Sequence, residues 1–233
     1  MKPITIEDAR EANKSFLFKE EHEMEEDEAC DEFATLFSQE RNPKVLITTD
    51  ENPTRHIFVY IKELKEMIPN SYFYPRKYFY IYFRKFPLAT ICRLSTEKGF
   101  SHIMVVRERM KQPYQMVMIC LPIGPSIVFR LSSVKLRKEL HFHGAPTGHK
   151  PELILKNFNT ANGRRVGRFF ASMFDQDPEF RARTVVSFLN CRDYIFVRHH
   201  RYVFKENGKK CGLQEIGPRF TLKVKKILEG KSL

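Results

Sequence analysis

The sequence predicts an α/β protein built from two similar halves, because one order of elements occurs twice. In the first half, a short apolar strand at 44–49 precedes a turn and an amphipathic helix. In the second half, an apolar strand at 153–155 precedes a turn-rich segment and a helix from about Gly163. A third pattern is the alternation of apolar and cationic residues at 219–225, which is typical of a half-buried strand. Together these patterns favour two sheet halves with helices packed on them.

The first half continues with several strand-like segments after its helix. Thr54 can cap that helix, and Pro69 and Asn70 end it. Its apolar stripe consists of Ile57, Ile61, Leu64 and Ile68. The next segment, 72–83, is rich in Tyr and Phe with cations between them, which suits either a strand core or stacking of bases. Further strands are predicted at 103–106, 116–121 and 127–131.

The second half follows a linker at 140–152 that contains several His, Gly and Pro residues. The apolar stripe of its helix consists of Val166, Phe169, Phe170, Met173 and Phe174. In the closing strand, Phe220, Leu222 and Val224 point one way, and Arg219, Thr221, Lys223 and Lys225 point the other. Residues 198–201 instead place polar side chains on both faces, which predicts a bulge or a strand end there.

Charge divides the chain into an acidic arm and a basic body. The net charge is +12, yet residues 1–40 hold four Lys or Arg against 13 Asp or Glu. We therefore predict an acidic N-terminal arm at 1–42, partly disordered or docked on a partner, and one domain at 43–230. The halves of that domain extend over about 43–145 and about 146–230. Apolar residues beside the acidic run, such as Phe33, Leu36 and Phe37, would let short pieces of the arm dock as helices.

Several classes of protein are disfavoured. The five cysteines are scattered without a CxxC pair, no secretory signal opens the chain, and no apolar run approaches a membrane span, so we expect a reduced, soluble, intracellular protein without membrane contact. Phosphate-binding glycine loops and hydrolase motifs are absent from the sequence. His141, His143 and His149 form a weak metal-site candidate, for which exposed loop histidines are the better interpretation. We predict no catalytic residue, no metal, no cofactor and no small-molecule substrate.

Three clusters of basic residues predict binding of a polyanion. The first consists of Arg164, Arg165 and Arg168, at the start of the second-half helix. Cations are unfavourable at this positive end of the helix dipole unless an anion binds there. The second consists of Lys135, Arg137 and Lys138. The third and densest consists of Arg192, Arg198, Arg201, Lys205, Lys209, Lys210, Arg219, Lys223, Lys225 and Lys226, and His200 joins it beside Arg198 and Arg201. Each residue alone is compatible with an ordinary solvated cation, and the prediction depends on their clustering.

Several motifs in the same order resemble the Brix domain family over about 43–228. They are Pro43-Lys-Val-Leu-Ile-Thr-Thr49, Leu121-Pro-Ile-Gly-Pro125, Phe129-Arg-Leu-Ser-Ser-Val134, Asn157-Phe-Asn-Thr160, Asn190-Cys-Arg-Asp-Tyr-Ile-Phe196, His199-His-Arg-Tyr202 and Gly217-Pro-Arg-Phe-Thr-Leu222. Runs at 131–139, 167–174 and 196–204 are most similar to a member that serves the large ribosomal subunit.

The resemblance implies a Brix fold, in which two halves related by a pseudo-two-fold duplication are each similar to the anticodon-binding domain of class II aminoacyl-tRNA synthetases. It also implies a nucleolar, non-catalytic factor in assembly and pre-rRNA processing of the large subunit. Its partners would be the large-subunit pre-rRNA, other assembly factors and ribosomal proteins. Two alternatives stay open: a relative that serves the small-subunit precursor, and a protein–protein scaffold with incidental RNA contact.

Overall fold

The structure is a computed structural model that describes residues 32–38, 42–50, 53–76, 80–81, 84–85, 87–206 and 209–230. The carboxylate-rich run of the predicted arm lies outside the described residues, as does part of the aromatic segment at 72–83. The boundaries predicted for the arm and the halves stay predictions.

The elements alternate between short helices and longer strands. The helices are α1 (Ala34–Phe37), α2 (Arg55–Met67), α3 (Leu88–Glu97) and α4 (Ala161–Ala171), with short 3-10 helices at Arg137–Glu139 and Phe180–Ala182. The strands are β1 (Val45–Thr49), β2 (Ser71–Phe73), β3 (Tyr80–Ile81), β4 (Arg84–Lys85), β5 (His102–Arg109), β6 (Gln112–Cys120), β7 (Ser126–Lys135), β8 (Glu152–Lys156), β9 (Thr184–Cys191), β10 (Tyr194–Lys205), β11 (Lys210–Glu215) and β12 (Arg219–Leu228).

One large mixed sheet runs through the molecule in the order β2-β1-β5-β6-β7-β12-β10-β9-β8, and β11 pairs with the outer part of β10. Apart from β2 at one edge, the pairing pattern is the same when it is followed inward from either end. β1 pairs in parallel with β5, which continues antiparallel to β6 and β7; likewise β8 pairs in parallel with β9, which continues antiparallel to β10 and β12. The two patterns meet at the antiparallel pair β7–β12. The mixed α/β class is therefore confirmed. An origin by duplication stays a prediction, which this symmetry supports.

The main core lies on one face of this sheet, beneath α2 and α4. The apolar stripe of α2 packs there with the second-half residues Phe220 and Leu222, so both halves share one core. The centre of that core is aromatic: Phe170 of α4 stacks on Phe188 of β9, with ring centroids 4.3 Å apart, and on Phe129 of β7, at 5.6 Å. The stripes predicted for both helices are thus the buried faces.

The opposite face of the sheet is covered only over the first half. There α3 places Ile91 and Cys92 on a second core formed with β1, β5 and β6. In the part of the chain that the structure describes, no helix of the second half packs on this face. The face of β7, β12, β10, β9 and β8 opposite the main core is called the open sheet face below.

The end of the predicted arm packs against the body of its own chain. Phe33 is 1% exposed and meets Phe169 edge-on, with ring centroids 5.9 Å apart. Leu36 is also buried, and the guanidinium of Arg168 lies 4.4 Å from the ring centroid of Phe37. Residues 32–38 therefore belong to the packed unit, and α1 completes the cover of α4.

The predicted break at 198–201 is wrong, because β10 pairs without interruption with β9 and then with β11. His199 accounts for the misleading pattern. It is buried on the core side, where its Nδ1 lies 3.3 Å from the carbonyl oxygen of Gly217. The irregularities lie instead in the β7–β12 pair, where Lys225 is an extra residue between the pairs Val224–Phe129 and Lys226–Val128. The alternation predicted for β12 thus ends at Val224.

The backbone at Gly124 lies so close to the backbone at Gly230 that there is no room for a side chain. Its φ is +123°, and a Cβ there would lie 2.7 Å from Cα of Gly230. Gly148 has a φ of +73° but open space around it, which makes it a matched control. We expect Gly124→Ala to lower the free energy of unfolding by about 1 kcal/mol or more beyond the loss for Gly148→Ala, as measured by urea unfolding. Equal losses of unfolding free energy would show that the backbone at Gly230 moves away from the added Cβ at little cost.

Candidate nucleic-acid interface

The open sheet face presents a row of aromatic and cationic side chains along β10. Core-side residues Ile195, Val197 and His199 are buried, so the alternate residues face outward. They are Tyr194, Phe196, Arg198, His200, Tyr202 and Phe204. The strand has 12 residues and therefore spans about 36 Å. Such a row is able to contact an extended ligand.

Cations from the neighbouring strands flank this row. Register places Arg130 of β7 opposite Lys223 of β12, which in turn lies opposite Tyr194. Lys135 lies opposite Arg219 in the same strand pair. On the far side, Lys156 of β8 extends the face. Among the residues that the structure describes, Arg130 and Lys156 have no ion-pair partner, so their charges are available to a ligand.

A compact charge cluster occupies the middle of the open sheet face. Glu215 of β11 accepts hydrogen bonds from Arg219, including one of 2.8 Å from Nε, and lies 3.9 Å from Arg198. Burial by itself raises the pKa of the Glu215 carboxyl, but the hydrogen bond from Arg219 and the surrounding cations outweigh it and lower that pKa. Burial, followed by the charge of Arg219, lowers the pKa of Arg198. Arg198 and Arg219 are thus partly neutralised within the protein.

His200 and Tyr202 continue the row toward the outer end of β10. Burial lowers the pKa of His200, so the ring is neutral at physiological pH and contributes a hydrogen-bonding group rather than a charge. The hydroxyl of Tyr202 donates a 2.5 Å hydrogen bond to Glu152. This end of the face is therefore less cationic than the end near Tyr194.

The cluster predicted on α4 lies on the helix side, away from the open sheet face. Arg165 forms paired hydrogen bonds with Glu32 (2.6 and 2.8 Å) and with Glu229 (2.6 and 2.8 Å). These hydrogen bonds, first that donated to Glu229, raise the pKa of Arg165. The anion expected near this helix start is thus supplied by the chain itself. Arg168 stacks on Phe37, and Arg164 lies one turn earlier, next to Arg165.

The remaining predicted residues are dispersed. Arg137 serves the fold: its backbone N–H donates to the Glu63 carboxylate at 2.9 Å, and its guanidinium pairs with Glu66 of α2. Burial raises the pKa of Glu63. Arg201 points to the core side, where it donates to the carbonyl oxygen of Ala145. Exposed positions at turns and strand ends are taken by Lys138, Arg192, Lys205, Lys225 and Lys226.

Two of these cations share a cavity with α4. Lys225 and Lys226 line an open cavity of about 510 Å³ beside the first turn of that helix, together with Arg165. The extra residue in β12 shifts the alternation at that point, so Lys225 and Lys226 are both exposed although they are adjacent in the strand. The cavity therefore joins members of the first and third predicted clusters.

Several residues of the face were not predicted as site residues: Arg130, Lys156, Tyr194, Phe196, Tyr202 and Phe204. Arg130 interrupts an otherwise apolar strand, and this interruption is the signal that marks it as outward-facing. The spacing of Tyr194, Phe196 and Arg198 is that of one strand face, but the apparent break at 198–201 hid it.

No other type of site emerges from the described residues. They contain no group of three or more His, Cys, Asp and Glu side chains that is placed to hold a metal ion. The Nδ1 atom of His149 lies 2.7 Å from a Glu179 carboxylate oxygen. In the same part of the chain, no helix has the length and apolar character that crossing a membrane requires.

Comparison with known proteins shows one family. The Brix domain matches residues 50–226. The chain is 43% identical over 229 residues to ribosome production factor 1 of Danio rerio, covering 98% of this chain and 67% of the relative. It is 42% identical to the protein of that name in Xenopus laevis, with 98% and 64% coverage, and 40% identical to that of Saccharomyces cerevisiae, with 89% and 68% coverage. The chain thus spans about two thirds of these relatives.

A solved structure supports the fold independently of close sequence identity. The crystal structure of a probable ribosomal biogenesis protein from Aeropyrum pernix superposes with a TM-score of 0.57 at 17% identity, covering 81% of this chain and 100% of that one. The sequence match, the sheet order and this superposition agree. The chain belongs to the Brix domain family.

Proposed function

We propose that this chain is a non-catalytic, RNA-binding factor in the assembly of the large ribosomal subunit and the processing of its pre-rRNA. Relatives named ribosome production factor 1 align with almost the whole chain, which supports a role in ribosome production. The observation that carries the RNA-binding part is the open sheet face. It gathers cations from adjacent strands, while its carboxylates Glu152 and Glu215 are already hydrogen-bonded.

The proposed RNA contacts fall into two groups. Those on the open sheet face are the predicted residues Lys135, Arg198, His200, Arg219 and Lys223, together with Arg130 and Lys156. Those at the margins and on the helix side are Arg137, Lys138, Arg164, Arg165, Arg168, Arg192, Arg201, Lys205, Lys225 and Lys226. We expect the first group to contribute more, because its cations share one face, whereas those of the second group are dispersed. Ion pairs within the chain engage Arg137 and Arg165 in the second group, and Arg198 and Arg219 in the first.

The partners proposed with this function are the large-subunit pre-rRNA, other assembly factors and ribosomal proteins, and the proposed location is the nucleolus. Purification of the protein together with the particles it binds in the cell distinguishes a role in the large subunit from a role in the small subunit. Recovery of large-subunit precursors supports the proposal, whereas recovery of small-subunit precursors favours the alternative role.

Salt dependence tests the electrostatic part of the proposal. For the triple variant Arg130→Gln/Lys156→Gln/Lys223→Gln, we expect weaker binding to rRNA fragments. We also expect the slope of log affinity against log salt to become shallower by about two, because each lost phosphate contact removes about 0.7–0.9 from it. Fluorescence anisotropy over a KCl series measures both quantities.

The matched control removes the same number of cations from the outer side of α2. Arg55, Lys62 and Lys65 are exposed there, so Arg55→Gln/Lys62→Gln/Lys65→Gln should leave the slope nearer that of the unmodified protein. Equal changes in both variants would indicate general charge attraction rather than this face. An absence of RNA binding at low salt would contradict the proposal and favour a protein–protein scaffold.

A further inference from the structure

Two neighbouring aromatic rings, those of Tyr194 and Phe196, reach the surface on the open sheet face, whereas the rings on the other side of the sheet are packed in the core. Tyr194 is 42% exposed, and Phe196 is half-buried two residues further along the same strand. Residues at this spacing share one face and lie about 7 Å apart. The Nζ atom of Lys223 is 4.5 Å from the centroid of the Tyr194 ring, and Cζ of Arg198 is 5.9 Å from the centroid of the Phe196 ring, so a cation lies beside each of the two rings.

Cations that have no ion-pair partner among the described residues lie on both sides of these rings. On one side, Arg130 follows Lys223 in the cross-strand row that contains Tyr194. On the other side, Phe196 lies opposite Leu189, which lies opposite Lys156 at the sheet edge. From β7 to β8 the face is about 19 Å wide, given the spacing of neighbouring strands. The rings thus lie in the middle and the positive charges toward the margins.

This arrangement suits RNA whose bases are not paired. A ring on a flat sheet can stack only on a base face that is free, whereas the base faces within an RNA helix are already covered. Stacking on successive rings combined with cations along the backbone is the general way in which proteins bind single strands. A protein partner would suit the apolar residues Leu189 and Ile154, but it would leave Arg130 and Lys156 uncompensated unless it were acidic.

We propose that Tyr194 and Phe196 stack on two unpaired bases of an RNA single strand or loop, with Arg130, Lys223 and Lys156 at the flanking phosphates. The site rests on the proposed RNA-binding function and specifies its ligand as unpaired RNA. Tyr202 and Phe204 extend the row, but the carboxylate of Glu152 at Tyr202 makes that end less favourable for a polyanion.

The test compares two RNA probes and two ring variants of the full chain. The probes are a short unstructured RNA of mixed sequence and a fully base-paired RNA duplex of the same base composition. We expect Tyr194→Leu/Phe196→Leu to weaken binding of the unstructured RNA at least about tenfold, because each stacked base contributes on that scale. The salt slope should stay unchanged, since no cation is lost, and affinity for the duplex should change little.

Two control variants separate stacking from loss of structure. Tyr194→Phe/Phe196→Tyr keeps both rings and should bind the unstructured RNA as the unmodified protein does. Phe180→Leu removes a ring that is 64% exposed elsewhere, and it should have no effect on either probe. Urea unfolding of each variant shows whether the fold is retained.

Several results would overturn the inference. Equal losses for both probes, or no loss for the unstructured RNA, would exclude stacking at these rings while leaving RNA binding by the cations intact. Loss of a co-purifying protein from the leucine variant, with unchanged RNA binding, would assign the face to a protein partner. An unmodified protein that binds neither probe at low salt would overturn the proposed function together with this site.

Discussion

Replacing Phe170 by Ala should lower the free energy of unfolding by about 3–5 kcal/mol, the range typical of a large buried aromatic side chain. Phe170 is 0% exposed and lies between rings from both halves of the sheet: Phe188 of β9 and Phe129 of β7. Phe158 adds an edge contact at 6.4 Å. The cavity left by Ala would therefore open where the halves share their core, and the surrounding strands have little freedom to close it.

Urea unfolding followed by circular dichroism measures this loss. Phe180→Ala is the matched control, because the same ring is removed from a position that is 64% exposed, and its effect should stay within about 0.5 kcal/mol. Comparable losses for the two variants would contradict the central place of Phe170 in the core.

Acidification from pH 7 to pH 5 should lower the free energy of unfolding by about 4 kcal/mol through two buried histidines. Burial lowers the pKa of His102 to about 3. The ring lies between the hydroxyls of Ser101 (2.9 Å) and Ser172 (3.0 Å), with Phe169 beside it. Burial, partly offset by the hydrogen bond to Gly217, lowers the pKa of His199 to about 4.

The fall in unfolding free energy at low pH follows from the difference between the folded-state and unfolded-state pKa of each histidine. Both folded pKa values lie below the value of about 6.5 for an unfolded chain, so the unfolded state binds more protons between these limits. The stabilisation is present above pH 6.5 and is lost as the pH falls toward 3 for His102 and toward 4 for His199. At pH 5 each histidine accounts for about 2 kcal/mol, because one pKa unit corresponds to about 1.4 kcal/mol.

The variant His102→Gln tests this assignment, since it removes one titrating ring but keeps hydrogen-bonding groups for the two serines. The loss between pH 7 and pH 5 should then shrink by about 2 kcal/mol. The exposed control His141→Gln should leave the pH dependence unchanged. If His102→Gln shows the full loss, other groups govern the acid sensitivity.

Local periodicity predicted the elements whose burial is one-sided. The stripes of α2 and α4 and the apolar side of β12 were predicted because each buries a single face at regular spacing. Helix α3 was missed, since its contribution to the second core is limited to Ile91 and Cys92 with Leu88 beside them. His199 caused the opposite error: a polar side chain that is buried and hydrogen-bonded looks, in sequence, like an interruption of the strand.

The candidate site was predicted as a set of charges but not as a surface. Sequence clustering found Arg165, yet its partners Glu32 and Glu229 are distant in the chain, so local patterns cannot reveal that its charge is neutralised. Similarly, the grouping of Arg130, Lys223 and Tyr194 depends on the pairing of three strands. Which cations share a face is decided by long-range register, which the sequence does not encode locally.

The meeting of the halves at β7–β12 also constrains how the protein is made. During synthesis β7 emerges long before residues 219–228, so its hydrogen-bonding edge has no partner while the second half is translated. An unpaired edge of this length invites association with other chains. The same reasoning applies to dissection: either half produced alone would expose a central strand, whereas two fragments made together have complementary edges through which they can reassemble.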